Sequence, residues 1–194
     1  MGRSSEVINT FAPSTINITL NESDLKADGT LDTSQKVIAN NDYKMIPGLT
    51  LLKDPTVTVE KGSEACWLFI KVEEEGVSGK IDGTDISYNV DEFLTYIVDP
   101  TYWTKLEGYE KEDEYCVYYY KGDLLKKSLE KSESFCILED NQLQVNASIT
   151  KEMMDNVATL KDYPKLKFTA YASQYMNGSD IFTVRDAWLN ITGK

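Results

Sequence analysis

The stretch from Tyr43 to Val72, YKMIPGLTLLKDPTVTVEKGSEACWLFIKV, constrains the fold of this chain more than any other. Val57 and Val59 alternate with Thr56, Thr58 and Glu60, and Cys66, Leu68, Ile70 and Val72 alternate with Trp67, Phe69, Lys71 and Glu73. Period two is the signature of β-strands, because successive side chains point to opposite faces. The second run begins apolar on both faces, which predicts a position inside a sheet rather than at its rim. Glu60-Lys61-Gly62-Ser63-Glu64 between the runs is polar and carries a glycine, which predicts a hairpin connection. Pro47-Gly48 marks a turn ahead of the first run, and Pro55 holds Asp54 extended. The stretch supplies a frame and no evident chemistry.

Further strands are predicted at Thr15 to Leu20, with Ile16, Ile18 and Leu20 on one face; at Tyr115 to Lys121, dense in aromatics; at Phe135 to Leu138; at Leu143 to Ile149; and at Lys165 to Gln174. Residues 23–42 and 77–85 are polar and turn-rich and are predicted as loops. The Asp24, Asp28 and Asp32 spacing does not match a calcium loop. Asp91 is a predicted N-cap for a short helix carrying Phe93, Leu94, Ile97 and Val98, stopped by Pro100. Thr150 caps a predicted helix through Lys161, with Met153, Met154, Val157 and Leu160 inward, and a short helix is predicted around Asp186-Ala187-Trp188. The sum is an all-β chain: a jelly-roll-like β-sandwich of seven to nine strands with short helices in the connections. One sandwich domain is predicted over residues 14–194, preceded by an arm, residues 1–13, that carries Val7, Ile8 and Phe11. Such an arm is suited to pairing with a sheet edge, in its own chain or in another.

Composition narrows the chemistry. The chain of 194 residues has 20 basic and 32 acidic side chains, a formal charge of −12, so phosphate backbones are repelled and no nucleic-acid partner is expected. Histidine is absent, which removes the commonest general base and the commonest zinc ligand. Cys66, Cys116 and Cys136 lie among apolar neighbours without CxxC spacing and read as three buried free thiols, with one disulfide of undetermined pairing plus an odd thiol as the alternative. No Ser-x-x-Lys pair, GxSxG, P-loop or GxGxxG stands in a recognisable setting, and carboxylate pairs among 32 acidic residues carry no signal. The chain is read as non-enzymatic, with no catalytic residue, no metal ligand and no cofactor. The five Asn-x-Ser/Thr matches, at Asn17, Asn21, Asn146, Asn177 and Asn190, are read as coincidental. No apolar run is long enough to span a membrane. Met1-Gly2-Arg3-Ser4-Ser5 lacks the apolar region of a signal peptide and is read as a start placed ahead of a mature exported chain.

Several of these stretches together resemble one family. Asn9-Thr10-Phe11, Ile16-Asn-Ile18-Thr-Leu20-Asn-Glu22, Tyr43-Lys-Met-Ile-Pro47-Gly48, Lys53-Asp54-Pro55-Thr-Val57-Thr-Val59 and Cys66-Trp-Leu-Phe-Ile-Lys71-Val72 look like the TasA/camelysin-type proteins of Gram-positive bacteria, whose leader is removed by a SipW-type signal peptidase. Trp103-Thr-Lys-Leu106, Tyr118-Tyr-Tyr120-Lys121, Ala170-Tyr-Ala172-Ser-Gln174 and Ala187-Trp188 continue the likeness in order and spacing. The resemblance implies a jelly roll, secretion to the cell surface, and self-association into biofilm-matrix fibres by passing an N-terminal strand to the next subunit. The donor on this chain would be the arm with Val7, Ile8 and Phe11, and other matrix or cell-wall components are possible partners. The three cysteines depart from the pattern, and the absence of histidine leaves the peptidase label of camelysin without support here. The alternative function is a monomeric surface module that binds glycan or cell-wall material through Tyr102, Trp103 or Tyr109.

Overall fold

The computed structural model describes residues 6–7, 15–37, 44–112 and 114–193; Ile8 and Phe11 of the arm lie outside the described residues. Sixteen strand segments are present among them: β1 (Glu6–Val7), β2 (Ile18–Leu25), β3 (Leu31–Val37), β4 (Thr50–Leu52), β5 (Thr56–Val59), β6 (Cys66–Glu75), β7 (Val77–Ile81), β8 (Thr84–Tyr88), β9 (Leu94–Thr95), β10 (Trp103–Lys105), β11 (Tyr115–Tyr120), β12 (Glu133–Cys136), β13 (Gln142–Val145), β14 (Lys165–Gln174), β15 (Met176–Asn177) and β16 (Asp180–Ile181). Two α-helices, α1 (Lys151–Leu160) and α2 (Val184–Thr192), complete the regular structure together with three short 3-10 turns.

The strands form a five-stranded sheet in the order β1-β14-β6-β11-β10, a four-stranded sheet β12-β5-β2-β3 and a three-stranded sheet β4-β13-β9, with β7-β8 and β15-β16 as separate hairpins. One apolar cluster draws on all three sheets. Leu68, Ile70, Val72, Phe168 and Ala170 come from the first, Ile18, Leu20, Val57 and Val59 from the second, and Leu143, Val145 and Leu94 from the third. The chain is thus mostly β and sandwich-like, with its core between the sheets. A second cluster lies on the back of the five-stranded sheet, where Ala187 and Trp188 of α2 cover Phe69, Leu106 and Val117. Both faces of β6 are therefore buried, and β14 and β11 flank it on either side, as its two-faced apolarity predicts.

Both helices begin at a capping threonine, the first of them the predicted Thr150. Thr150 Oγ1 accepts the Met153 N–H at 3.2 Å, and Thr183 Oγ1 accepts the Asp186 N–H at 3.1 Å. Strand β14 spans Lys165–Gln174, the predicted range, since its alternation is unbroken for ten residues.

Elsewhere the sequence expectations need correction. The connection Glu60 to Glu64 is no hairpin: β5 and β6 lie in different sheets, so the chain crosses from one layer to the other there. A glycine turn serves either geometry, and Gly62, at φ 85°, takes the same left-handed conformation in both. The first strand runs on to Leu25 and pairs with β3, so residues 23–37 form a long polar hairpin rather than a loop. Residues 77–88 form the β7-β8 hairpin around Asp82-Gly83, both at positive φ, the conformation two-residue hairpin turns require. The helix expected after Asp91 is absent. A 3-10 turn at Val90–Glu92 gives way to β9, and Ile97, 55% exposed, does not share a face with the buried Phe93 and Leu94. Sixteen segments replace the seven to nine expected: strands of two or three residues leave no periodic trace in the sequence, and β3, β7 and β8 are polar runs that read as loops.

Gly76, between β6 and β7, has no room for a side chain: a Cβ there would meet the Tyr88 carbonyl oxygen at 2.1 Å. Gly76→Ala is expected to push the β7-β8 hairpin away from the sheet and to destabilise the fold by about 1–3 kcal/mol. Urea unfolding measures this, and an unchanged midpoint would mean that the hairpin is free to move.

Candidate functional site

The site begins with β14. On one side it pairs antiparallel with β6 along its whole length, from Lys165↔Glu75 to Gln174↔Cys66. On the other, among the described residues, it is met by β1, in parallel register, at Glu6↔Thr169 and Val7↔Ala170. Leu166, Phe168, Ala170 and Ala172 point into the core, while on the opposite side Thr169 and Ser173 are each 1% exposed and Lys167 reaches solvent. Asn190 of α2 donates to Ser173 Oγ at 3.4 Å. The outer side of β14 is therefore where the start of this chain meets the sheet, by the backbone pairing that adds a strand to an edge.

Of the three predicted arm residues, Val7 has its backbone on this edge. Its side chain, and Ile8 and Phe11 altogether, fall outside the description. The β1 pairing is made within the chain, so residues 6–7 occupy the edge of their own sheet.

Against β14 stands β2 of the facing sheet, and here the inward row of β2 takes an unexpected turn. Ile18, Leu20 and Glu22 follow one another into the core, and Glu22 is fully buried. Lys53, 2% exposed, donates from Nζ to Glu22 Oε2 at 2.9 Å, and the same Nζ lies 5.9 Å from the centre of the Phe168 ring on β14. The next residues in each segment also pair: Ser23 N–H and Ser23 Oγ–H donate to the two oxygens of Asp54, each at 2.6 Å. Lys53 N–H is satisfied by the Asn141 carbonyl at 2.7 Å. Burial pushes the Lys53 ammonium below the ordinary lysine value, against the upward pull of Glu22 and Asp54. Sequence reasoning missed this quartet, because a polar pair 31 positions apart, one on a strand and one in a connection, reads as surface at both places.

The aromatics proposed for ligand binding do not converge. Trp103 is 4% exposed, donates from Nε1 to the Cys136 carbonyl at 2.8 Å and packs with Tyr102 on Phe135 in the main core. Tyr109 belongs to the second cluster, on the other face of the sheet, with Arg185 5.8 Å from its ring centre.

All three cysteines are free. Cys66 is buried, and desolvation pushes its thiol up to about 12; Cys136, pushed up to about 11 by partial burial and by Asp99, holds that carboxylate at 3.4 Å. At the α1 end of the molecule a groove of about 950 Å3 is lined by Glu73, Glu75, Asp162, Lys165 and Lys167. Both of its lysines are paired, Lys165 at 3.2 Å from Asp162 and 3.5 Å from Glu75 and Lys167 at 3.9 Å from Glu73, while Glu74 and Glu114 also line it and leave it net acidic. Among the described residues no three His, Cys, Asp or Glu side chains are grouped so as to hold a metal ion, and no helix is long and apolar enough to cross a membrane. Compared with protein-family models, with curated proteins and with solved structures, the chain matches none.

Proposed function

We propose that this chain is a secreted structural subunit of a TasA/camelysin-like kind, a jelly-roll-type sandwich that polymerises into extracellular matrix fibres by donating its N-terminal strand. The reading rests on the parallel pairing of Glu6 and Val7 with Thr169 and Ala170, which sets the N-terminal segment against β14 as an added strand. A strand that pairs within its own subunit can pair identically with a neighbour when the linker allows, and the contact is then heterologous and does not close. Seven residues separate Val7 from Thr15, enough to span roughly 26–29 Å when extended, so exchange to an adjacent subunit is within reach. The subunit works as a building block: it needs no catalytic residue and no cofactor, and its partner is another copy of itself.

Deletion of residues 1–13 tests this. The truncated chain is expected to remain folded, because among the described residues the core is built from Ile16 onward, and to form no filaments under electron microscopy at concentrations where the full chain does. Filaments of unchanged form after the deletion would remove the arm from the assembly.

A further inference from the structure

We propose that Lys53 and Glu22 form a covalent side-chain amide, a self-made cross-link between the strand β2 and the segment that joins β4 to β5. The two groups are held in contact, Nζ to Oε2 at 2.9 Å, with side chains 3% and 1% exposed. They are held by more than each other: the neighbouring Ser23–Asp54 pair, with two hydrogen bonds of 2.6 Å, locks residues 22–23 against residues 53–54.

Three physical conditions for condensation meet here. Persistent contact replaces a bimolecular encounter by an intramolecular one, with a correspondingly high effective concentration. Burial removes much of the advantage that the charged pair has over the neutral amine and acid in water, so the nucleophilic form of Lys53 becomes accessible; the downward displacement of its ammonium has the same cause. The site is closed to bulk water, which withholds the reagent for the reverse hydrolysis. In the reaction the Lys53 nitrogen bonds to Glu22 Cδ and one carboxylate C–O bond breaks. The departing oxygen leaves as water with two hydrogens from the ammonium, and the third remains on the amide. No oxidant, reductant or further reactant is needed.

The bond would close the chain from Glu22 to Lys53 into a covalent ring beside the β14 edge. It stands independently of the fibre reading, since it concerns the folded monomer. Mass spectrometry of the full chain in denaturant is the test. The intact mass is expected to fall below the sequence mass by one water. Trypsin is expected to yield residues 4–26 joined to residues 45–61, uncut after the acylated Lys53. Lys53→Arg keeps the charge but not the nucleophile and is expected to show the full sequence mass. The wild-type peptide map decides the matter even if that variant fails to fold. An intact mass equal to the sequence mass, separate peptides, or a water loss that persists in Lys53→Arg would each overturn the proposal.

Discussion

Lys53→Ala is expected to destabilise the fold by about 3–5 kcal/mol, the loss that follows when one partner of a buried pair is removed. Glu22 sits at the third inward position of β2, after Ile18 and Leu20, with no exposed surface, and Lys53 is the cation that faces it. Take the ammonium away and a carboxyl group stays in the core with its water already lost. Replacing both residues, Glu22→Leu with Lys53→Met, is expected to recover most of the stability, because a packed apolar pair carries no desolvation penalty. Urea midpoints of the two single variants and the double variant separate these terms. A single-variant loss below about 1 kcal/mol, typical of an exposed ion pair, would show that water reaches the site. A covalent link would add its own ring closure to the loss in Lys53→Ala, and the double variant would then fall short of the native value.

The same pair explains where the sequence misleads. Alternation placed β14 over Lys165–Gln174 because every inward residue from Leu166 to Ala172 is apolar. In β2 the alternation holds just as well, but its third inward residue is glutamate, so periodicity ends the strand there and assigns residues 23–42 to a loop. What keeps Glu22 inward is Lys53, and no local pattern announces a partner 31 residues away. The turn at Gly62 failed differently. Local chemistry specified that the chain bends, while the choice between pairing β5 with β6 and sending them to opposite sheets was made by longer-range partners: β14 and β11 take both sides of β6, and β2 and β12 take both sides of β5. The site suffered from both limits. An arm with apolar residues is visible in sequence, whereas the edge that receives residues 6–7 exists only once β14 has paired with β6 and has its back sealed over Thr169 to Ser173.

That sealing depends on α2, and Trp188→Ala is expected to lower stability by about 3–5 kcal/mol, the usual range for removing a large buried aromatic. Trp188 is 6% exposed, with its ring 5.2 Å from Phe69 and 5.2 Å from Tyr171, so it bridges β6 and β14 on the back of the sheet. The outward residues of that sheet, Trp67, Phe69, Val117 and Tyr171, are apolar or aromatic, and a face of this kind needs cover. The helix supplies it, held at its start by the Thr183 cap and by Phe182, whose carbonyl accepts the Trp67 Nε1–H at 3.0 Å. Loss of the indole should lower the urea midpoint and raise hydrogen exchange in α2 and in β14 before it does so in β5 and β2. An unchanged midpoint would make α2 an appendage. The sheet would then be stable with one face open, and Trp67, Phe69, Val117 and Tyr171 would offer an apolar surface to other molecules.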